Sequence, residues 1–226
     1  MNTIDQNVAI FRADQFKKAY QSGAAKLNID NKEHVLYAVR KAYVDLTPRT
    51  LKKKNPNAKI PAPERNNVLW WLAEELQVYL QDSTKESFSV WHRSVCRQFL
   101  VKFNTEVLAD NYHPAHFGKA QKIVNMALKY IRCFDDAAEY ESVYKECHMA
   151  IDSYILTWYN NELSVALQVP KVWTAWSNLS EQEYDTIQNN IATYLESTMN
   201  TKFSRIPFEA EFDIWWSEKQ LRLQKK

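Results

Sequence analysis

Glycine is nearly absent from this sequence, which has only two, Gly23 and Gly118, among 226 residues. An average chain of this length carries about sixteen, because glycine makes up roughly 7% of residues. Glycine supplies the positive φ angles of tight hairpins and of loops that surround phosphate groups. The P-loop and the Rossmann fingerprint both need several glycines in one turn and are therefore excluded. We expect a mostly helical chain with short polar connections.

Long apolar runs and a cysteine framework are also missing. No apolar run approaches the roughly 20 residues that cross a bilayer. The first fifteen residues mix Asp, Gln and Arg with apolar side chains, unlike a signal peptide. Cys96, Cys133 and Cys147 are irregularly spaced, which indicates no disulfide framework and fits a reducing compartment. These absences predict a soluble, cytoplasmic protein without a membrane partner.

Helix-start signals recur along the chain. The capping-box spacing is present at Asp30 with Glu33, Ser83 with Glu86, and Ser180 with Glu183. The sequence therefore predicts an all-α fold, a multi-helix bundle forming one domain over residues 1–226, with no internal repeat. The predicted helices span residues 5–21, 31–46, 64–81, 86–103, 116–134, 149–167 and 181–199.

Two segments do not follow a helical pattern. Residues 47–63 hold four of the seven prolines and five basic residues, which predicts an exposed linker, a flexible flap or a domain boundary. Near the C-terminus, apolar Phe208, Ala210, Phe212 and Ile214 alternate with acidic residues. This period of two predicts a short half-buried strand or an extended arm packed over the helices.

Positive and negative charge are unevenly distributed, although the whole chain carries only +2. Residues 1–84 sum to +4, residues 85–132 to +5 and residues 133–226 to −7. Such an asymmetry can steer an anionic partner to one side of the molecule. The two ends of the chain can equally pair with each other inside the fold, and both interpretations stay open at this point.

The helix predicted over 116–134 has one apolar face and one face without any carboxylate. That second face carries Gln121, Lys122, Asn125, Lys129 and Arg132, with Lys119 at its edge. Solvated faces usually mix signs, because Glu–Lys pairs four residues apart stabilise a helix. Lysine and arginine supply charge, while asparagine and glutamine can recognise a phosphate, a base edge or a backbone. The pattern predicts a binding face for an anion, or a face neutralised by the acidic C-terminal third.

A second basic set lies on the preceding helix. Arg93 and Arg97 are four residues apart, beside Trp91 and His92. Guanidinium groups next to aromatic rings suit phosphates and stacked bases, so both arginines join the predicted ligand-binding set. The alternative is an ordinary amphipathic helix with surface arginines.

His148 and Asp152 are the weak catalytic candidates. If residues 149–167 continue as a helix from 148, the two share a face, and the carboxylate can hold the imidazole in one tautomer. Cys147 points elsewhere on such a helix, which argues against a Cys–His nucleophile. His113, His116 and Cys133, with His148 or Cys147, are zinc-type ligands whose spacing matches no known pattern. We therefore predict no metal and no cofactor.

Three blocks carry a resemblance: FGKAQKIVNMALKY (117–130), CHMAIDSYILTWY (147–159) and EFDIWWSEK (211–219). They resemble a scattered family of uncharacterised bacterial and phage proteins, over about the C-terminal half of the chain. No activity is known for that family. The resemblance implies that Lys119, Gln121, Lys122, Asn125, Lys129, His148 and Asp152 belong to its recognition blocks, and it implies a mobile-element origin.

Together these patterns predict a non-enzymatic binding protein whose basic helix face binds an anionic ligand: a nucleotide, a signalling nucleotide or a nucleic acid. A phage protein acting on host defence would fit. Replacing Lys122 and Lys129 with glutamate should then abolish binding without unfolding. One alternative is an interaction module that docks an acidic protein or a second copy of itself. The other is a nuclease or phosphodiesterase using His148 and Asp152, although no hydrolase, kinase or HEPN-type motif is present.

Overall fold

The computed structural model describes residues 27–46, 50–83 and 86–224. Within these ranges the protein is all-α, as predicted, and contains no strand beyond one isolated bridge pair. The helix predicted over 5–21 lies outside the described residues. The helices are α1 (Lys32–Asp45), α2 (Ala62–Gln81), α3 (Phe88–Lys102), α4 (Phe117–Ile131), α5 (Glu141–Glu146), α6 (Ser153–Trp158), α7 (Ser164–Leu167), α8 (Glu181–Glu196) and α9 (Pro207–Gln224).

Helix α4 is the centre of the fold. It packs against α1, α3 and α8 and against the 3₁₀ turn at Trp176–Asn178. Its apolar side chains, including Ile123, Val124 and Leu128, are fully buried in the core. None of the helices in the described ranges is both long and apolar enough to cross a membrane.

The helix starts show which capping signals the chain uses. Ser180 forms the predicted capping box with Glu183 at the start of α8. The other two predicted boxes are wrong by a few residues: α1 is capped by Asn31, whose side chain accepts from the Glu33 amide, and α3 begins after Ser87. Side chains that can cap are frequent there, and tertiary packing selects one of them.

The C-terminal segment is helix α9, so the predicted strand or extended arm is wrong. The helix begins at Pro207, a residue favoured in a first turn because its missing N–H has no helical partner there. Each of its buried positions lies three or four residues from another, as a helix requires: Phe208, Ala210, Glu211, Ile214 and Glu218. The period of two predicted a strand because it places Glu211 on the exposed side, whereas Glu211 is buried and the apolar Phe212 is only partly buried.

The helix predicted over 149–167 begins only at Ser153. Residues 147–152 are extended, and Asp152 caps α6 by accepting from the amides of Tyr154 and Ile155. The helix then widens into a π-helical turn at Tyr159–Leu163. This displacement of the helix start changes which side chains can meet, as described below.

Two π-helical turns hold surface segments in place by the same contact. The turns Phe103–Leu108 and Tyr159–Leu163 both start with an aromatic residue followed by asparagine. Asn104 pairs with both backbone groups of Ala115, at 2.7 and 3.2 Å. Asn160 pairs in the same way with Val172, at 2.8 Å for both bonds. These two anchors fix the surface segments that follow each turn.

Candidate functional site

The face of α4 that carries only cations and amides lies mostly inside the protein. Lys119, Gln121, Lys122 and Asn125 are at most 7% exposed. The prediction that these side chains face solvent is therefore wrong. The extended segment 147–152 and helices α8 and α9 cover the face, so no anionic ligand reaches it in this conformation.

The cations of this face are paired with acids of the same chain. Lys122 Nζ lies 3.0 Å from Asp152 Oδ2, and Lys129 pairs with Glu211 of α9. Arg132 Nη2 lies 2.6 Å from Glu141 Oε2 in a half-exposed pair. All three acids come from the acidic C-terminal third. Internal neutralisation, the alternative that the sequence left open, is what the structure shows.

The amides of the face bind the backbone of the extended segment. Gln121 Oε1 accepts from Ile151 N at 3.1 Å, and its Nε2 donates to Ile151 O at 2.8 Å. Gln188 makes the matching pair with Met149, at 3.3 and 2.6 Å. Glu211 accepts from Ala150 N at 2.8 Å. These side chains replace the strand partner that a buried extended backbone needs.

We call this set the buried network: Gln121, Lys122, Asn125, Lys129, Asp152, Gln188, Glu211 and the backbone of residues 149–151. The network joins residues from all three blocks that carry the family resemblance. Its members satisfy most of one another's hydrogen-bonding groups, and among their buried side-chain atoms Asn125 Oδ1 alone has no hydrogen-bond partner. Its evident role is structural.

His148 and Asp152 do not form the predicted catalytic pair. Because residues 147–152 are extended, the two side chains do not share a helix face. Asp152 instead bonds to Lys122 and to two amides of α6. Burial alone would raise the pKa of Asp152, but the Lys122 ammonium and these amide donors hold that pKa below its ordinary value.

His148 bridges the surface and the buried network. Its Nε2 lies 3.1 Å from Oγ of the exposed Ser89, and its Nδ1 lies 3.0 Å from the hydroxyl of Tyr184. Asn125 Nδ2 donates to the same buried hydroxyl at 3.0 Å. If Nδ1 accepts the Tyr184 proton, a neutral His148 carries its own proton on Nε2, facing Ser89. In this tautomer His148 is a donor to Ser89 and not its general base.

The neutral form of His148 should make stability depend on pH. Burial, and secondarily the charge of Arg93, lower the pKa of His148 from 6.5 to about 4. The unfolded chain therefore takes up this proton first as the pH falls, so the stabilisation is complete above pH 6.5 and is lost towards pH 4. For this histidine alone, we expect the free energy of unfolding to fall by about 2 kcal/mol between pH 7 and pH 5.

Urea unfolding of wild type and His148→Gln at both pH values measures this effect. The variant should lose less stability than wild type on acidification, because only the contribution of His148 is removed. His92 stays in both proteins, and because its own burial is the largest cause of its lowered pKa, with His148 second, most of its contribution is common to the two. Equal pH dependence of the two proteins would contradict the assignment, as would a His148 NMR titration near pH 6.5.

Arg93 and Arg97 are on the surface of α3 but are not free. Arg97 makes two bonds to Glu181 of α8, at 2.7 and 2.8 Å, and Arg93 contacts Glu181 and Asp185. Their predicted aromatic neighbours are buried, since Trp91 stacks on Tyr79 at 4.1 Å and His92 is 1% exposed. The expected platform of arginines and aromatic rings is therefore wrong.

No metal site accompanies these residues. Across the described ranges, no three His, Cys, Asp or Glu side chains are grouped so that they could hold a metal ion. The four zinc-type ligands considered from the sequence do not form such a group. Cys147 is buried, and burial raises the pKa of its thiol well above the ordinary value.

An exposed cationic surface lies elsewhere, on residues 50–61, which we call the lysine loop. Lys52, Lys53, Lys54 and Lys59 are all exposed. Among the described residues, none of these four lysines forms an ion pair. The loop contains no acid, and neither does the segment 111–119 to which it is attached. Unpaired positive charge is concentrated here.

Backbone bonds attach the lysine loop to the segment that precedes α4. Lys53 and Tyr112 form an antiparallel bridge, with Lys54 N donating to Asn111 O at 2.9 Å and His113 N donating to Lys52 O at 2.8 Å. The Tyr112 hydroxyl donates to Ala58 O at 3.2 Å. The predicted flap of residues 47–63 is thus, over its described part, an irregular segment held at several points.

Comparison with family models, curated proteins and solved structures found no match to this chain. The resemblance to a bacterial and phage family, with its mobile-element origin, stays a prediction. The function proposed below rests on the geometry of this chain alone.

Sequence reasoning overlooked the lysine loop as a site, although the signal was visible. The absence of carboxylates that singled out the face of α4 holds equally for residues 47–63. The prolines of that segment predicted a linker, whereas the helical periodicity of α4 predicted that its cationic face is exposed to solvent. Linear patterns cannot separate an exposed cationic segment from one whose acidic partners lie far along the chain.

Proposed function

We propose that this protein is a non-enzymatic binding protein that binds the phosphates of a nucleic acid through the lysine loop. The observation that carries this proposal is the exposure of Lys52, Lys53, Lys54 and Lys59 without any ion pair among the described residues. Anion binding is thus still the proposed function, but at a different surface from the face of α4.

The charge of this surface favours an anionic partner. The lysine loop supplies four exposed ammonium groups, those of Lys52, Lys53, Lys54 and Lys59. The acid nearest in sequence to the attached segment is Asp110. Four exposed lysines against one carboxylate leave a surplus of positive charge, and mutual repulsion among the lysines is relieved when an anion binds.

The way in which the loop is held favours binding as well. Leu51 and Ala58 are buried at its two ends, and backbone bonds to residues 111–113 fix it between them. A segment that is already ordered loses less conformational entropy on binding than a free linker would. The backbone of the loop is therefore preset before a ligand binds.

The arrangement suits a chain of phosphates better than a single nucleotide. A bound nucleotide is usually enclosed in a cavity with a few convergent polar groups. The four loop lysines are instead spread along an exposed segment, and lysine acts as a point charge without the fixed geometry of arginine. Spread point charges neutralise successive phosphates of a strand.

Salt dependence tests this proposal. Wild type should bind labelled 20-nucleotide oligonucleotides with an affinity that falls as salt rises, with a log–log slope of about −3 if four or five phosphates are neutralised on a single strand. Lys52→Glu, Lys54→Glu and Lys59→Glu combined should weaken binding by on the order of tenfold or more and make the slope less steep by about 2. Fluorescence anisotropy at several salt concentrations measures both.

A charge-matched variant controls for net charge. Lys145→Glu, Lys202→Glu and Arg205→Glu change the same number of exposed charges away from the lysine loop. This control should lose much less affinity than the loop variant. If both variants lost affinity equally, net charge alone would explain the effect, and the proposed surface would be contradicted. No binding by wild type would overturn the proposal and favour an acidic protein as the partner.

A further inference from the structure

Trp173 is the most exposed large hydrophobic side chain in the described part of the protein, with 84% of its surface open to solvent. Tryptophan is highly buried on average in folded proteins, so such exposure needs an explanation. Exposed aromatic side chains often mark the place where a partner binds. We call residues 168–179, which contain it, the tryptophan loop.

The tryptophan loop holds Trp173 in place from both sides. On one side, Asn160 bonds to both backbone groups of Val172 at 2.8 Å. On the other, the Thr174 hydroxyl donates to Glu183 Oε1 at 2.6 Å, and Glu183 is itself part of the capping box of α8. The indole is therefore presented outwards by a backbone that is fixed immediately before and after it.

The tryptophan loop and the lysine loop meet at the start of α4. Lys119 Nζ donates to Ser177 O at 3.1 Å, and Gly118 N donates to Leu179 O at 3.0 Å. Lys52 O of the lysine loop accepts from His113 N at 2.8 Å, four residues before Phe117, the first residue of α4. Ser177 follows Trp173 by four residues, which span at most about 14 Å. Cations and an exposed indole thus share one region of the surface.

We propose that Trp173 stacks on an unpaired base of a single-stranded nucleic acid whose phosphates lie along the lysine loop. This inference rests on the proposed function and specifies its ligand. Surfaces that bind single strands combine cations along the backbone with aromatic side chains under the bases. A duplex keeps its base faces stacked inside, so it can use the lysines but not the indole. Lys171, exposed two residues before Trp173, is placed to contact a phosphate next to the stacked base.

The test compares single strands with a duplex. The probes are labelled oligo(dT) and oligo(U) of 20 nucleotides and a DNA duplex of the same length, measured by fluorescence anisotropy. Trp173→Ala should weaken binding to the single strands by about tenfold and leave duplex binding unchanged. Trp173→Phe should keep most of the affinity because it keeps an aromatic face. The two single strands show whether RNA or DNA is preferred.

Trp70→Ala is the matched control, because Trp70 is also partly exposed but lies on α2. It should leave single-strand binding unchanged. Circular dichroism is expected to show that Trp173→Ala keeps the wild-type fold, since its indole is almost entirely solvated.

The outcomes separate the two proposals. If the lysine-loop variant weakens single-strand binding and Trp173→Ala does not, stacking is overturned and the proposed function stands. If Trp173→Ala weakens single-strand and duplex binding alike, stacking on an unpaired base is also overturned. If neither variant changes affinity, or wild type binds no nucleic acid, both proposals fail and a protein becomes the candidate partner of the indole.

Discussion

Replacing Lys122 and Lys129 together with glutamate is expected to unfold the protein. Each substitution puts a second carboxylate against an existing one, Asp152 in the first case and Glu211 in the second. The side chains of these acids are only 16% and 2% exposed, so water screens the repulsion poorly. This reverses the expectation drawn from the sequence, in which both lysines face solvent and can be changed without harm.

The expected loss in the free energy of unfolding follows from the effect of breaking buried ion pairs. Removal of one partner from a buried pair destabilises by about 3–5 kcal/mol, because the remaining charge stays buried without compensation. Lys122 and Lys129 are seven residues apart on α4, about 10 Å, so the two losses should nearly add. We expect a total loss of about 6 kcal/mol or more, comparable with the 5–15 kcal/mol that stabilises a typical domain.

Circular dichroism and urea unfolding measure this outcome. The matched control is Lys145→Glu with Lys171→Glu, which reverses the same number of charges at exposed positions and should change stability by less than about 1 kcal/mol. A folded double variant at positions 122 and 129 with the wild-type urea midpoint would show that the buried network does not hold the fold together.

Gly118→Ala is expected to destabilise the protein by about 2–3 kcal/mol, the opposite of what helix propensity predicts. Within a helix, alanine is usually favoured over glycine by roughly 1 kcal/mol. At Gly118, however, an added Cβ would lie 1.8 Å from the backbone oxygen of Trp176. Either α4 or the tryptophan loop must move, because the obstacle is backbone and cannot rotate away.

The same substitution should also lower the affinity for single-stranded nucleic acid. Gly118 N donates to Leu179 O, so displacing the loop breaks the contact that joins it to α4. Thermal and urea unfolding give the stability change, and anisotropy with oligo(dT) gives the affinity. The direction of the stability change distinguishes a clash of the added Cβ from ordinary helix propensity without a further variant. Increased stability would mean that the close approach of α4 and Trp176 does not exist in solution.

Most helices were predictable from the sequence, whereas the start of α6 and the helical state of α9 were not. Glycine scarcity and capping signals predicted an all-α fold, and α1, α2, α3, α4 and α8 lie close to their predicted positions. The prediction for α9 was wrong because Glu211 and Glu218 lie on the buried face, where sequence patterns expect apolar residues. The start of α6 was wrong because Gln121, Gln188 and Glu211 bind the backbone of residues 149–151 and keep it extended.

The sequence predicted basic segments as candidates for anion binding, but it did not show which of them is exposed. Lysines without acids nearby in sequence indicated an anion-binding function, and two segments met that description. Residues 133–226 carry the surplus of acid, yet nothing in the linear sequence says which basic segment those acids cover. Trp173 gave no separate signal, because seven other tryptophans are present and the core takes up most of the aromatic residues.

The shortage of glycine by itself determined the class of fold and excluded the glycine-rich phosphate loops, because both depend only on local backbone geometry. The order of apolar and basic residues along 117–131 likewise determined that α4 has one apolar and one cationic face. Tertiary structure alone decided that this second face points inwards, because its partners Asp152 and Glu211 lie 30 and 82 residues from the lysines they bind. Pairing over such distances depends on how helices pack. The same packing left the lysine loop and Trp173 exposed at the surface, where a ligand can reach them.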